Sequence, residues 1–419
     1  SDLLTRFEFE EKWIENIMGN IYNIFCSTPV LDLFSKFKNY PGIIVSAGPS
    51  LAKNVKLLNN IRDKAIIVCV DTALKVLQKN NISPHIVITL DSQKYSIKHF
   101  QGLKDHNPIL LADLVSYPRV IDSYKGRKIL STTSKYYFDK NGNTKRETTP
   151  VMDWIEEYIS PIGDIQSGGS VATSAFDLLL NLGCSSIVLL GQDLAYTGRE
   201  IHSRGTHHND DWLPITSRFR NLETINQNVI RRRKIKYVTS YDGKGDVLSD
   251  FVFDLYRHWF EDSAAKVSIP VINATEGGAK IKNTQQYTLK ELVKNTPKME
   301  VSPQEIFEKV ISQNIEQNPQ MLIDGIKSAE ESLDEIKSIS EKLLKEDFPS
   351  DEKLYQVIDE KNISKLLNPF LRRTFLFLAR HQDICYEKYM KNFISDVAVA
   401  SNKVIKLLKD SQRRLETLR

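Results

Sequence analysis

Cysteine is scarce in this 419-residue chain. The four present, Cys26, Cys69, Cys184 and Cys385, never stand in CxxC spacing. That excludes a disulfide framework and a zinc ribbon, and it fits a reducing, cytoplasmic setting. Cys69 and Cys184 lie in apolar runs and are expected in the core. No run reaches the ~18 apolar residues of a membrane span. The start, Ser1-Asp2-Leu3-Leu4-Thr5, lacks a basic stretch followed by an apolar one, so no secretory signal is read. It also lacks an initiator Met, which leads us to expect a portion of a longer polypeptide. A net charge of +4 is small for this length. It argues against a general nucleic-acid or membrane binder but leaves room for a local basic pocket. No repeat or low-complexity tract stands out. With 41% hydrophobic and 26% charged residues, the chain has a globular composition and enough length for its own core.

Three textures follow one another. Residues 1–40 are expected to be a helical segment, with Trp13, Ile14, Ile17 and Ile21 at helical spacing and Pro29 as breaker. Residues 41–288 alternate short β-branched runs with helical patterns. The runs are Ile43–Val45, Ile66–Val70, Ile86–Leu90, Ile109–Leu111, Lys128–Leu130 and Ile187–Leu190, with Ile235–Val238 and Val271–Asn273 as further candidates. Continuous apolar strands separated by helices predict a mostly parallel sheet covered on both faces, an α/β Rossmann-like domain. Residues 289–419 are expected to form an α-helical C-terminal domain. Leu322, Ile326, Ala329, Leu333, Ile336 and Leu343 share one stripe, Val397, Ile405 and Leu408 another, and Pro349 and Pro369 punctuate the region.

Chemistry is expected where strands end. Ile43-Ile44-Val45 runs into Gly48-Pro49-Ser50 and then a helical pattern. That is a candidate phosphate-binding turn, with plain strand-turn-helix geometry as the alternative. It is neither a Walker loop nor GxGxxG. Val70 runs into Asp71-Thr72 and Leu90 into Asp91. Both acids are ligand candidates at strand carboxyl ends, with helix capping as a rival for Asp71. Ser167-Gly168-Gly169-Ser170 opens another helix, its small residues allowing close approach to a ligand or a strand. A further strand ends in Gly191-Gln192-Asp193-Leu194-Ala195-Tyr196. Three histidines follow within seven positions, His202, His207 and His208. They read as an acid/base loop, a metal site with Asp210 and Asp211, or solvated residues; the spacing matches no standard metal pattern. Arg231-Arg232-Arg233-Lys234 reads as a nucleic-acid patch or, more simply, as a solvated helix end. Asn273-Ala274-Thr275-Glu276-Gly277-Gly278-Ala279 adds another polar turn.

In this order, these segments resemble the motility accessory factor (Maf) proteins, bacterial flagellin glycosyltransferases, over about residues 5–300. The Ile82-Ser83-Pro84-His85 to Asp91 stretch belongs to the same match. The resemblance implies a central domain similar to bacterial sialyltransferases. It implies transfer of a nonulosonic acid, of pseudaminic or legionaminic type, from its CMP-activated form to Ser or Thr hydroxyls of flagellin, in support of flagellum assembly and motility. It also implies a further N-terminal domain, of which this chain shows nothing. Carried onto this sequence, Gly48, Pro49 and Ser50 line the nucleotide phosphate, with Asp71, Thr72 and Asp91 nearby. Ser167, Gly168 and Gly169 contact the cytidine or phosphate side. Asp193 and Tyr196 sit by the reacting centre, and His202 is a candidate base. Asp71 stands where related sialyltransferases place an Asn, and no equivalent of their later catalytic His is found near Ser240-Tyr241-Asp242-Gly243. No DxD motif accompanies a nucleotide pocket, so metal-independent transfer is expected, with no cofactor besides the CMP-sugar donor itself. Two alternatives are an ATP- and Mg-dependent pyrophosphokinase acting on a hydroxymethylpterin, and a non-catalytic flagellin-binding scaffold. The helical region from about Leu289 is the expected acceptor-recognition part.

Overall fold

The computed structural model describes residues 2–418, apart from 314–316, 347–348, 350–351, 361–362 and 381–385. Cys385 lies outside the described residues. In chain order the strands are β1 (Thr28–Pro29), β2 (Pro41–Val45), β3 (Ile66–Val70), β4 (Ile86–Thr89), β5 (Ile109–Asp113), β6 (Lys128–Ser131), β7 (Lys135–Phe138), β8 (Thr144–Glu147), β9 (Ser186–Leu190), β10 (Ile235–Thr239), β11 (Asp246–Asp250), β12 (Val271–Asn273) and β13 (Gln285–Gln286). Nine of them form one sheet in the order β1-β6-β5-β4-β3-β2-β9-β12-β13. Every pairing in it is parallel. The register sets Ile43 between Ile67 and Val188 at the sheet centre. Both faces are covered, which is why the central strands are apolar without alternation. Cys69 and Cys184 are buried, as expected.

One expected strand belongs elsewhere. Ile235–Val238 lies in β10, which pairs antiparallel with β11 in a separate hairpin. Ile235 and Tyr237 are exposed while Val238 is buried, so this strand has one wet face. Its turn is too short for a parallel crossover: Asp242 accepts from the Lys244 amide and the Ser240 hydroxyl, and Gly243 takes positive φ. β7 and β8 form another antiparallel hairpin.

The N-terminal helix Asp2–Phe25 buries Ile14, Ile17 and Ile21. It packs on the long helix Tyr386–Glu416 and on Ser364–Arg380, so both ends of the chain share one helical layer. Its polar side reaches the sheet. Asn16 Nδ2 donates to the Ser92 and Val115 carbonyls, and Asn20 Nδ2 to those of Leu114 and Ser116. These are the connections leaving β4 and β5. Ion pairs from Arg372 to Glu10, Lys403 to Glu11 and Glu15, and Arg414 to Asp122 rim the contact.

The stripe Leu322, Ile326, Ala329, Leu333, Ile336 and Leu343 is buried on the helix Gln320–Leu343 against Tyr386–Glu416, which buries Val397, Ile405 and Leu408. Pro369 does not end a helix; it lies inside Ser364–Arg380. Proline forfeits a backbone donor there, but near a helix start few bonds are lost, and buried Leu366, Leu367 and Leu371 anchor the segment. Among the described residues no helix is long and apolar enough to cross a membrane.

Candidate active site at the carboxyl edge of the sheet

From β2 the chain moves outward through β3, β4, β5 and β6, then crosses back to place β9 on the other side of β2. The topological switch point therefore lies between β2 and β9. In open parallel sheets that is where ligand crevices form. Two turns meet there, Ser46–Ser50 after β2 and Gly191–Asp193 after β9.

Asp193 joins them. Its buried carboxylate accepts from the Ser50 amide (3.2 Å), the Ser50 hydroxyl (2.7 Å) and the Thr197 hydroxyl (2.6 Å). Burial raises its pKa, and these hydrogen bonds oppose the rise. Gly48 is required by this contact: a Cβ there would lie 2.1 Å from Asp193 Oδ2. The Gly48 amide donates to Gly191 O, and Ser46 Oγ to Gln192 Oε1. The segment after β12 closes the third side. Ala279 N donates to Asp193 O, Thr275 Oγ1 accepts from Gln192 N, and Lys53 and Asn54 bind Glu276. So Gly48, Pro49, Ser50 and Asp193 come together, but the Ser50 amide and hydroxyl face a carboxylate of this chain.

At the ends of β3 and β4, Asp71 and Asp91 are neighbours. Asp71 is buried in the first turn of Asp71–Lys79, accepting from Thr72 N and Thr89 Oγ1. Asp91 accepts from Gln93 N. Burial pushes its carboxyl up, and the charge of Asp71 adds to the rise.

Above them the histidines gather, with one that the sequence reading missed. His99, in the 3-10 turn Lys94–His99, packs edge-on against His207 with ring centroids 4.2 Å apart. His207 meets His208 at 3.9 Å, and His208 stacks on His202 at 4.7 Å. Burial, followed by the neighbouring imidazoles, lowers His202 and His207 to about 3 and His208 to about 4. All three are neutral at pH 7. Both ring nitrogens of His207 are buried without a hydrogen-bond partner among the described residues. The carboxylates of Asp210 and Asp211 are engaged by Lys75, Lys79, Lys98 and Tyr95. Among the described residues no three His, Cys, Asp or Glu side chains are grouped to hold a metal ion. The loop is tied to the switch point because Ser203 N donates to Ala47 O (2.8 Å).

The third group lies on the other flank. Tyr196 donates to the buried carboxylate of Asp250, which also caps the helix Phe251–Lys266 through the Phe253 amide. Burial and that carboxylate raise the Tyr196 pKa. From the same helix, Trp259 packs flat on Gly168, where a Cβ would come within 2.3 Å of its Nε1, and Tyr256 stands beside Gly169. Ser167-Gly168-Gly169 is exposed or half-buried before the helix Val171–Asn181, which is capped by Ser170 and Thr173. Asp250, Tyr256 and Trp259 escaped the sequence reading; a capping Asp before a helix was the one signal available for Asp250.

Residues 15–199 match the family described as 6-hydroxymethylpterin diphosphokinase MptE-like. Two uncharacterized proteins of Treponema pallidum (strain Nichols) are relatives. One is 24% identical over 201 residues, 44% of this chain and 51% of the relative. The other is 26% identical over 197 residues, 46% of this chain and 38% of the relative. The chain thus matches about half the length of the curated relatives or less. Among solved structures, the MAf glycosyltransferase from Magnetospirillum magneticum AMB-1 superposes with a TM-score of 0.54 at 14% identity, over 97% of this chain and 61% of that one. The expected α/β fold with its helical C-terminal region is therefore borne out, and the resemblance to the Maf proteins holds as a shared fold along nearly the whole chain.

Proposed function

We propose that this chain is a glycosyltransferase of the Maf type, moving a nonulosonic acid from a CMP-activated donor to Ser or Thr hydroxyls of flagellin. The observation that supports it best is extent. The likeness to a Maf glycosyltransferase runs through the helical layer to 97% of the chain, whereas the pterin-kinase family match stops at residue 199.

In this reading the bond between the anomeric carbon and the CMP phosphate oxygen breaks, and CMP leaves with the electron pair. The acceptor oxygen bonds the anomeric carbon, and its proton passes to a base. His202, neutral at pH 7, is the candidate base, a role worth on the order of 10²–10⁴-fold. Ser167, Gly168 and Gly169, at the amino end of an 11-residue helix, line the place of the leaving phosphate, with the Gly168 amide held by Thr173 Oγ1 and the Gly169 amide by Ser167 Oγ, so the helix end rather than free glycine amides meets its charge. Asp193 fixes Gly48-Pro49-Ser50 as one wall of the crevice, Asp71, Thr72 and Asp91 line the next, and Tyr196 orients through Asp250. Transfer needs no metal in this scheme, and the acceptor meets the helical region from about Leu289.

The test is ligand-induced thermal stabilisation by CMP, CDP, ATP and ATP with Mg²⁺. A ligand at about 100-fold over its Kd adds roughly 2.7 kcal/mol. A CMP response that ignores Mg²⁺ is expected. The family match over 15–199 favours, as a second reading, pyrophosphoryl transfer to a pterin. A response confined to ATP with Mg²⁺ would establish that one instead.

A further inference from the structure

Four consecutive cations, Arg231 to Lys234, close the helix Leu222–Arg231 and run on past it, and all four are exposed. None of the four has an ion-pair partner among the described residues. One of them is placed differently from the rest. The helix holds the histidine loop, with Asn226 Oδ1 accepting from Ile201 N, next to His202. Just past Arg233, Lys234 O accepts from Phe251 N, next to Asp250. Arg233 therefore stands where the His202 segment and the Tyr196–Asp250 pair approach each other. Its charge acts on Tyr196, Tyr256 and His202 together. Tyr256 is the residue beside Gly169. An exposed guanidinium whose backbone lies between the His202 segment and the Tyr196–Asp250 pair, with no carboxylate bound to it among the described residues, is suited to receive an oxyanion in forked geometry.

We infer that Arg233 anchors an oxyanion of the ligand in this cleft, the nucleotide phosphate or the carboxylate of the sugar acid. The inference rests on the CMP-sugar reading above and adds to it a positioning residue. Arg231 and Arg232, in the last helical turn and beyond it, serve the helix terminus instead.

The experiment measures binding of cytidine, CMP and CMP-N-acetylneuraminic acid to the full chain and to Arg233→Gln, Arg233→Lys, Arg231→Gln and Arg232→Gln. Arg233→Gln should bind CMP or the CMP-sugar about 10- to 100-fold more weakly, equivalent to the loss of one charge-assisted hydrogen-bonded pair. Cytidine binding and the unliganded Tm should not move, because the side chain is exposed. Lys should restore part of the loss, and the two control variants should bind like the parent. A loss already seen with CMP identifies the phosphate; a loss seen only with the CMP-sugar identifies the carboxylate. Unchanged binding of both by Arg233→Gln overturns the inference, as does an equal loss in the Arg231 or Arg232 variant or an equal loss of cytidine. A parent protein that binds none of the three probes overturns the CMP-sugar reading itself.

Discussion

Asp193 accepts hydrogen bonds from both the amide and the hydroxyl of Ser50, 143 residues earlier in the chain. Two strands that separate at the switch point are rejoined by one carboxylate. Asp193→Ala would leave the buried Ser50 donors and the half-buried Thr197 hydroxyl unpaired. A loss of stability on the order of 3 kcal/mol is expected, read by urea unfolding. An unchanged midpoint would show that water replaces the carboxylate at no cost.

Gly48→Ala tests the same joint from the other side. The added methyl would sit 2.1 Å from Asp193 Oδ2 and 2.4 Å from Gly191 O, so the two turns must part. Roughly 1–3 kcal/mol of destabilisation is expected, together with loss of the CMP response. A variant that responds to CMP like the parent would separate this turn from the ligand site.

Much of this scaffold was readable in the chain, for a physical reason. β2, β3, β4, β5 and β9 are buried on both faces, and a doubly covered strand must be apolar throughout. The two-residue strands β1 and β13 carry too little pattern to be seen. β7, with Tyr136 and Tyr137 exposed, and β8, Thr-Lys-Arg-Glu and exposed throughout, lack the β-branched apolar run of a doubly covered strand. For the site, strand ends pointed to Asp71, Asp91 and Asp193, because a parallel sheet collects its loops on one edge. Their partners were not legible: His99 meets His207 across 108 positions and Tyr196 meets Asp250 across 54, and nothing local in a sequence encodes such meetings.

The histidine cluster gives the protein an acid-sensitive side. The imidazoles of His202, His207 and His208 titrate near 6.5 when unfolded but are held at about 3 to 4 when folded. Between those values the unfolded chain binds more protons, so stability falls as pH drops from about 6.5 toward 4. The slope is up to about 1.4 kcal/mol per pH unit for each such group. Lys75, Lys98, Arg233, Asp91 and Asp211 face the cluster and set its baseline. His207→Phe should flatten the profile measured by urea unfolding across that range. An identical slope in parent and variant would remove His207 from the account.

Catalysis separates enzyme from scaffold. His202→Gln should lower transfer by on the order of 10²–10⁴-fold while CMP binding is kept. Flagellin modification at the parent rate would instead favour a binding role for the whole chain, in which neither His202 nor Asp193 has chemistry to do.

The Tyr196–Asp250 bond can be weighed by a double-mutant cycle. Tyr196→Phe and Asp250→Asn should couple by about 1–2 kcal/mol in unfolding free energy, as expected for a buried hydrogen bond to a charged group. Additive effects would mean that the two residues act independently.

The helix at the amino end finds its cover at the far end of the chain, where Ser411 donates to the carbonyl of Met18 across 393 residues. A ribosome adding 5–20 residues per second takes roughly 20–80 s to bridge that interval. For that time Ile14, Ile17 and Ile21 present a row of branched apolar side chains whose partner helix does not yet exist. Completion of this helical layer thereby waits for the residues around Ser411, and until then the segment Asp2–Phe25 is one that a chaperone would hold.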